Sequence, residues 1–144
     1  MPTHPTSIND LIESFYRDVW NAWSDEAARR LLHPHLTFRG SLGRRTQGLD
    51  EFLAYVAEVR AAFPDFHNKV TDLVAQADRV AARLTYTGTH RGEVLGYPPT
   101  RRRIEYGGMA WFTVEHGRIR DGYVLGDVES LRAQLRNGAK PCRP

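Results

Sequence analysis

Apolar residues recur every three or four positions at the start of the chain. Ile8, Leu11, Ile12, Phe15, Val19, Trp20 and Trp23 would form one stripe of a helix. Ser7 stands where a cap accepts the first free N–H groups, and Asp10 three residues on makes a weak capping box. Ser24 caps a shorter second helix through Leu32, and Pro34 forbids its extension because the residue before a proline avoids helical geometry. A brief extended piece, Leu36–Arg39, leads into a loop marked by Gly40, Gly43 and Gly48. Leu49, Phe52, Val56, Val59 and Phe63 then share one side of a third helix over 49–63, which stops at Pro64.

From Phe66 the period changes to two. The alternation predicts strands over 66–76, 79–90, 102–115 and 118–126, with tight turns at Ala77-Asp78 and His116-Gly117. Between the second and third lies a longer connection, 91–101, and a last helix begins at Asp127 or Val128 and ends before Gly138. Helices first and a long antiparallel meander afterwards specify an α+β domain. Strands this much longer than the usual length of about five or six residues force the sheet to curl. A curled antiparallel sheet covered by N-terminal helices encloses a pocket, as a cone-shaped barrel does. One domain is expected over 1–144, with 1–6 and 138–144 as flexible tails.

Charge changes this picture little. A formal charge of +3 raises the question of nucleic acid, but the basic clusters Arg44-Arg45 and Arg101–Arg103 sit in turn-like segments without interleaved aromatics. They read as solvated loops, so no nucleic-acid partner is expected. No apolar run approaches the roughly 18 residues of a membrane helix, and the polar start MPTHPTSIND is not a signal peptide, so a cytoplasmic protein without membrane contact is expected. Cys142 is the only cysteine, which excludes an internal disulfide and thiolate metal sites. His35, His67 and His116 lack ligand spacing among themselves, and no metal is expected.

The order of elements, with FPDF at 63–66, DLVAQADRVAARLTYTGTH at 72–90, GEVLGYPPT at 92–100 and the ending HGRIRDGY…GD…SL…QL, resembles the SnoaL-like polyketide cyclases, within the nuclear-transport-factor-2-like cone fold. The resemblance covers Leu11 to Leu135, and its most specific part is the GTHxGxxxGxPPT pattern. It implies a helix-covered conical pocket, a dimer packed through its sheets, and cofactor-independent acid–base chemistry on a polycyclic small molecule. Gly88, Gly92 and Gly96 with Pro98-Pro99 then read as a rigid lip between long strands.

Family cyclases draw a proton from an activated carbon with a carboxylate and stabilise the enolate with a hydrogen-bond donor. The histidine and aspartate that alternate on the family's last strand fall here on Gly122 and Val124, with Gly126 where a tryptophan is common. Asp121 and Tyr123 lie one residue off, on the opposite face of a regular strand, unless a bulge at Gly122 swings them inward. Asp127 is either an acid or the cap of the last helix, and His90 either an acid–base group or a structural rim residue. Steroid isomerases of the same fold place a donor tyrosine on the first helix. That position falls on Tyr16, while their base falls on Gly40. The catalytic candidates are therefore Tyr16, Asp121, Asp127 and His90. Glu105 shares parity with Met109 and Trp111 and offers either a rim base or a surface salt bridge.

The expected substrate-binding set is Phe15, Trp20, His35, Phe38, Arg39, Phe52, Val56, Met109, Trp111 and Val124, with Arg39 as a fork of donors for a carboxylate or phenolate. Gly122 and Gly126 remove side-chain volume, so this wall is expected to be apolar and open. Met109 and Trp111 alternate with Ala110 and Phe112, apolar on both faces, as a homodimer covering the outer face would require. The leading expectation is a cyclase- or isomerase-type pocket protein. The alternative is a ligand-binding or dimerisation module that has lost the family's acid.

Overall fold

A computed structural model describes residues 7–136, so the expected tails, and Cys142 with them, lie outside the described residues. Helix α1 spans Ile8–Ser14, and the Ser7 hydroxyl accepts the Asp10 N–H at 3.1 Å. The apolar stripe predicts a continuous α-helix to Trp23, but Phe15–Trp20 is wound more widely as a π-helical turn, closed by the Asn21 N–H on the Tyr16 carbonyl at 2.8 Å. Phe15, Tyr16, Val19 and Trp20 are all buried along this wider turn. Helix α2 (Asp25–Leu31) is capped by Ser24, whose hydroxyl accepts the Ala27 N–H at 3.0 Å. Helix α3 spans Gly48–Ala62 and α4 spans Val128–Arg136.

Among the described residues, six strands form one sheet in the order β2-β1-β6-β5-β4-β3. They are β1 (Leu32–Arg39), β2 (Arg45–Gln47), β3 (His67–Gln76), β4 (Arg79–Thr89), β5 (Arg103–Glu115) and β6 (Arg118–Gly126). The last four are the predicted meander. Two features depart from a purely antiparallel sheet. The extended piece expected at Leu36–Arg39 grows into β1, which pairs parallel with β6, and part of the expected loop becomes β2, antiparallel to β1. Pro34 is tolerated inside β1 because the β1–β6 register shifts between Leu32 and Thr37, where no ladder N–H is required. The sheet is therefore mixed, curved and unclosed, and its concave side holds α1, the π turn, α2 and α3.

The even-numbered residues of β4 and β5 face the helices. Val80, Ala82, Leu84 and Tyr86 face inward on β4, and Ile104, Tyr106, Ala110 and Phe112 on β5. Helix α4 covers the edge that β6 leaves open on β5. The Gln134 side chain donates to the Glu105 carbonyl at 2.7 Å and accepts its N–H at 3.0 Å.

Candidate functional site

The site is built from the inside of the cone. Phe15, Trp20, Phe38, Phe52 and Phe112 pack edge against face, with Phe38 and Phe52 centroids 5.0 Å apart at 81° and Phe15 and Phe112 at 5.7 Å and 75°. This filling leaves an inner cavity of about 20 Å³, lined by Tyr16, Trp20, Phe38, Ser41, Tyr55, Val59, Phe66, Asn68, Tyr86 and Val124. Such a space holds one water at most. Its polar atoms are neutral, and none of the described residues that line it is an acid.

Three phenols meet at this cavity. Tyr16 is 3% exposed and its hydroxyl is fully buried without a hydrogen-bond partner. Burial drives its pKa far above the ordinary phenol value, so it is a donor at every physiological pH. Burial pushes the Tyr55 phenol up to about 12, tempered by hydrogen bonds from the Leu42 N–H and the Ser41 side chain. Tyr86 is raised by burial and then by the neighbouring Tyr16 and Tyr55 hydroxyls. A fourth phenol, Tyr106, lies behind them with its ring 4.8 Å from that of Tyr86 and its hydroxyl 2.9 Å from Ser41 Oγ. Asn68 closes the far wall. It is tied to the end of the π turn because its N–H donates to Asn21 Oδ1 at 2.8 Å and its carbonyl accepts from Asn21 Nδ2 at 3.0 Å.

The description of the SnoaL-like polyketide cyclases matches residues 10–135. The chain belongs to that family. Its fold agrees. A SnoaL-like polyketide cyclase homologue from Jannaschia sp. CCS1 superposes with a TM-score of 0.83 at 18% identity, covering 99% of this chain and 98% of that one. IdmH from Streptomyces antibioticus, a proposed polyketide cyclase, is 30% identical, with a TM-score of 0.78 over 90% of this chain and 99% of its own. AclR from Streptomyces galilaeus, a proposed hydroxylase, is 24% identical at a TM-score of 0.76, over 95% of this chain and 88% of its own. No curated protein matches the sequence.

Within this SnoaL-like chain the expected binding residues separate into three groups. Tyr16, Trp20, Phe38 and Val124 line the inner cavity. Phe15, Phe52 and Val56 are buried in the packing behind it. Met109 and Trp111 do not line it at all. They are 56% and 48% exposed on the outer face, because the β4–β5 register turns Ala110 and Phe112 inward. Arg39 also belongs to the outer side, where its guanidinium donates to the Val124 carbonyl and lies over the Tyr123 ring at 5.2 Å. His35 is exposed beside Thr37, Gln47 and Arg120.

The wall expected to be open is filled. A Cβ on Gly122 would lie 2.6 Å from the Phe38 ring, and one on Gly126 would lie 2.6 Å from the Ser41 carbonyl oxygen. The glycines make room for these groups rather than for a ligand.

The acidic candidates lie outside the cavity. A bulge does occur in β6, but at Arg120, between Ile119 and Asp121, and Asp121 stays on the side of Thr37, whose hydroxyl donates to it at 2.5 Å. Asp127 caps α4, accepting the Ser130 N–H at 3.1 Å. Glu105 is exposed, and its backbone is held by Gln134.

His90 is fully buried beneath the lip. The Thr100 N–H donates to Nδ1 at 3.2 Å with the Thr100 hydroxyl at 3.0 Å, which leaves the neutral ring's proton on Nε2. Burial lowers its pKa, against the backbone carbonyls of Gly92 and Tyr97. The lip is fastened by Arg91 and Gly92, whose N–H groups both reach the Ala62 carbonyl, at 2.8 and 3.1 Å. Gly92 is needed there because a side chain would overlap the Ala61 carbonyl oxygen.

Away from the cavity, His33, Glu115 and His116 bring ligand atoms within 4.8 Å of one another, a grouping sequence spacing does not reveal. Glu115 also lies 3.5 Å from Arg120 Nε, and His33 Nδ1 accepts the His35 N–H at 3.0 Å. The cavity residues that the sequence reading missed are Ser41, Tyr55, Val59, Phe66, Asn68 and Tyr86. Tyr55 sits three residues from Phe52 and four from Val59, and Tyr86 shares parity with Ala82 and Leu84, so periodicity held a signal for both.

Proposed function

We propose that this SnoaL-like protein binds an oxygenated aromatic ketone and donates the Tyr16 hydroxyl to its carbonyl oxygen, favouring the enolate in a cofactor-free isomerase- or cyclase-type reaction. The observation that carries this reading is the buried, unpartnered hydroxyl of Tyr16, a residue that lines the cavity. A buried donor without an acceptor costs about 1–3 kcal/mol, and a ligand oxygen that accepts it recovers that cost. A neutral donor in a dry, aromatic setting is suited to charge developing on an oxygen. The chain is proposed to act as a homodimer, joined through the outer face that carries Met109, Trp111, Tyr123 and Leu125.

A second reading, a binding protein without turnover, is favoured by one observation: no described cavity residue is a carboxylate. The test uses 1,8-dihydroxyanthrone, a tricyclic ketone with an acidic methylene, under anaerobic conditions. Faster deuterium exchange at the methylene in the presence of protein, lost in Tyr16→Phe, supports catalysis. Binding without exchange supports the second reading. Tyr16→Phe should also raise the stability of the ligand-free protein by about 1 kcal/mol, since it removes an unsatisfied hydroxyl. Ligand binding equal to wild type in this variant refutes the donor role.

A further inference from the structure

The inner cavity, at about 20 Å³, cannot hold the molecule its hydroxyls are suited to. A second hollow lies directly outside it. This groove, of about 420 Å³, runs between α3, the 40–44 turn and the lip, and it falls within the usual range for small-molecule sites, roughly 300–1,000 Å³. Among the described residues, only Tyr55 and Val59 line both spaces. We infer that the ring system of the ligand lies in this outer groove, and that the Tyr55 side chain is the partition through which its oxygen-bearing end reaches Tyr16. The inference rests on the Tyr16 reading above and adds the place where the rest of the ligand lies and the residue that selects it.

Tyr55 is suited to this. Tyr55 and Val59 are four residues apart on α3 and therefore stand one above the other on the same helix face. The Tyr55 ring lies across Gly40, where any side chain would overlap it, and its hydroxyl is held by the Leu42 N–H and Ser41. Those bonds come from a single turn, closed by the Gly43 N–H on the Gly40 carbonyl at 2.9 Å. One side-chain rotation with loss of these bonds would join the two spaces.

The lip opposite is fixed. Leu95 and Gly96 both take positive φ, 52° and 84°, and the tight turn they form is pinned by Val94 and Tyr97 exchanging backbone hydrogen bonds at 3.2 and 2.8 Å. The groove is thus preformed, and the moving part is one phenol.

The chemistry of the groove names the ligand class. Leu42, Val59, Val94 and Leu95 offer apolar surface, while Arg44 and Glu58 pair with each other across the rim and Glu93 adds a negative charge that disfavours an anion. That surface suits an uncharged, hydroxylated fused-ring ketone rather than an anion.

The experiment is a stopped-flow and equilibrium titration of wild type and four variants with 1,8-dihydroxyanthrone, read by tryptophan fluorescence, since Trp20 lines the inner cavity. Val94→Trp fills the groove without touching the inner cavity and should weaken binding at least tenfold. Tyr55→Ala should bind at least tenfold faster. Tyr55→Phe, which keeps the ring and loses only the hydroxyl's bonds, should associate several-fold faster and stands in if the alanine variant does not fold. Wild-type affinity in Val94→Trp, or wild-type association rates in the Tyr55 variants, would overturn the inference. If those variants match wild type while Tyr16→Phe binds weakly, the ligand enters elsewhere and only the Tyr16 reading survives. If neither wild type nor Tyr55→Phe binds the probe, both fall.

Discussion

Gly122→Ala tests whether the cone is filled as described. The added Cβ would lie 2.6 and 2.8 Å from Cδ1 and Cε1 of Phe38 and 3.2 Å from Cε1 of Phe112. Real Cβ atoms do not come so close, so the Phe38 ring must retreat. It has little room to do so, because Phe15, Trp20, Phe52 and Tyr55 surround it with centroids 5.0 to 6.4 Å away and the cavity it lines is only about 20 Å³. Overpacking of this kind costs about 1–3 kcal/mol. For a domain of this size that corresponds to a melting temperature lower by roughly 3–10 °C. Gly107→Ala is the control on the same sheet. Its nearest neighbour would be the Leu84 carbonyl oxygen at 3.6 Å, an ordinary contact, and its effect should stay within about 0.5 kcal/mol. Calorimetric melting of both variants reads the difference. Adding Phe38→Leu to Gly122→Ala should then restore part of the loss, with a coupling of about 1 kcal/mol or more. A Gly122→Ala protein as stable as the Gly107→Ala control, or strictly additive losses in the double variant, would show that the ring is not held against this strand.

Three other outcomes are expected. Because burial lowers the His90 pKa below its unfolded value of about 6.5, the unfolded chain binds the proton more readily, so stability is fully present above that pH and falls as the pH drops toward the folded pKa; His90→Gln should flatten this slope in melts between pH 7 and 5, and an unchanged slope would mean that another group sets it. Asp127→Ala should cost about 1 kcal/mol through loss of the α4 cap while leaving anthrone binding and exchange unchanged, and lost exchange with unchanged stability would place Asp127 in the chemistry. Leu125→Glu should convert a dimer seen by light scattering at tens of micromolar into a monomer of 16.4 kDa, and a monomeric wild type would refute the outer-face interface.

What could be read from the sequence follows from how local each signal is. The meander was legible because β3 to β6 alternate with period two and are separated by turn residues at 77–78 and 116–117, both with the positive φ such turns use at Ala77, His116 and Gly117. The β1–β6 pairing was not. It joins segments some eighty residues apart in parallel, and parallel pairing leaves no turn to announce it. The facing of β5 was illegible for a different reason. Both parities are apolar, so alternation cannot tell Trp111 from Phe112, and only cross-strand register decides. The inner cavity failed on volume. Glycines on one strand face imply space, but the sequence does not say whether a ligand or a neighbouring ring such as that of Phe38 takes it.

The absence of an acid among the described cavity residues bears on which reactions this chain can assist. A phenol held neutral by burial donates a hydrogen bond but cannot remove a proton from carbon near pH 7, because its conjugate base is too costly in that setting. Stabilising an enolate oxygen lowers the acidity barrier of the adjacent carbon, but the proton must still leave to a base outside the inner cavity: solvent, the substrate itself, or a carboxylate of the outer groove, Glu58 or Glu93. Substrates with intrinsically acidic methylenes, such as anthrones and poly-β-ketones, need least from the protein in that step. Simple ketones need most. The exchange assay therefore has a built-in scale: acceleration should be largest for the most acidic carbon acid and vanish for an isolated ketone such as cyclohexanone. Equal acceleration across that series would require a base in the cavity, and the neutral, tyrosine-lined site described above would then be the wrong one.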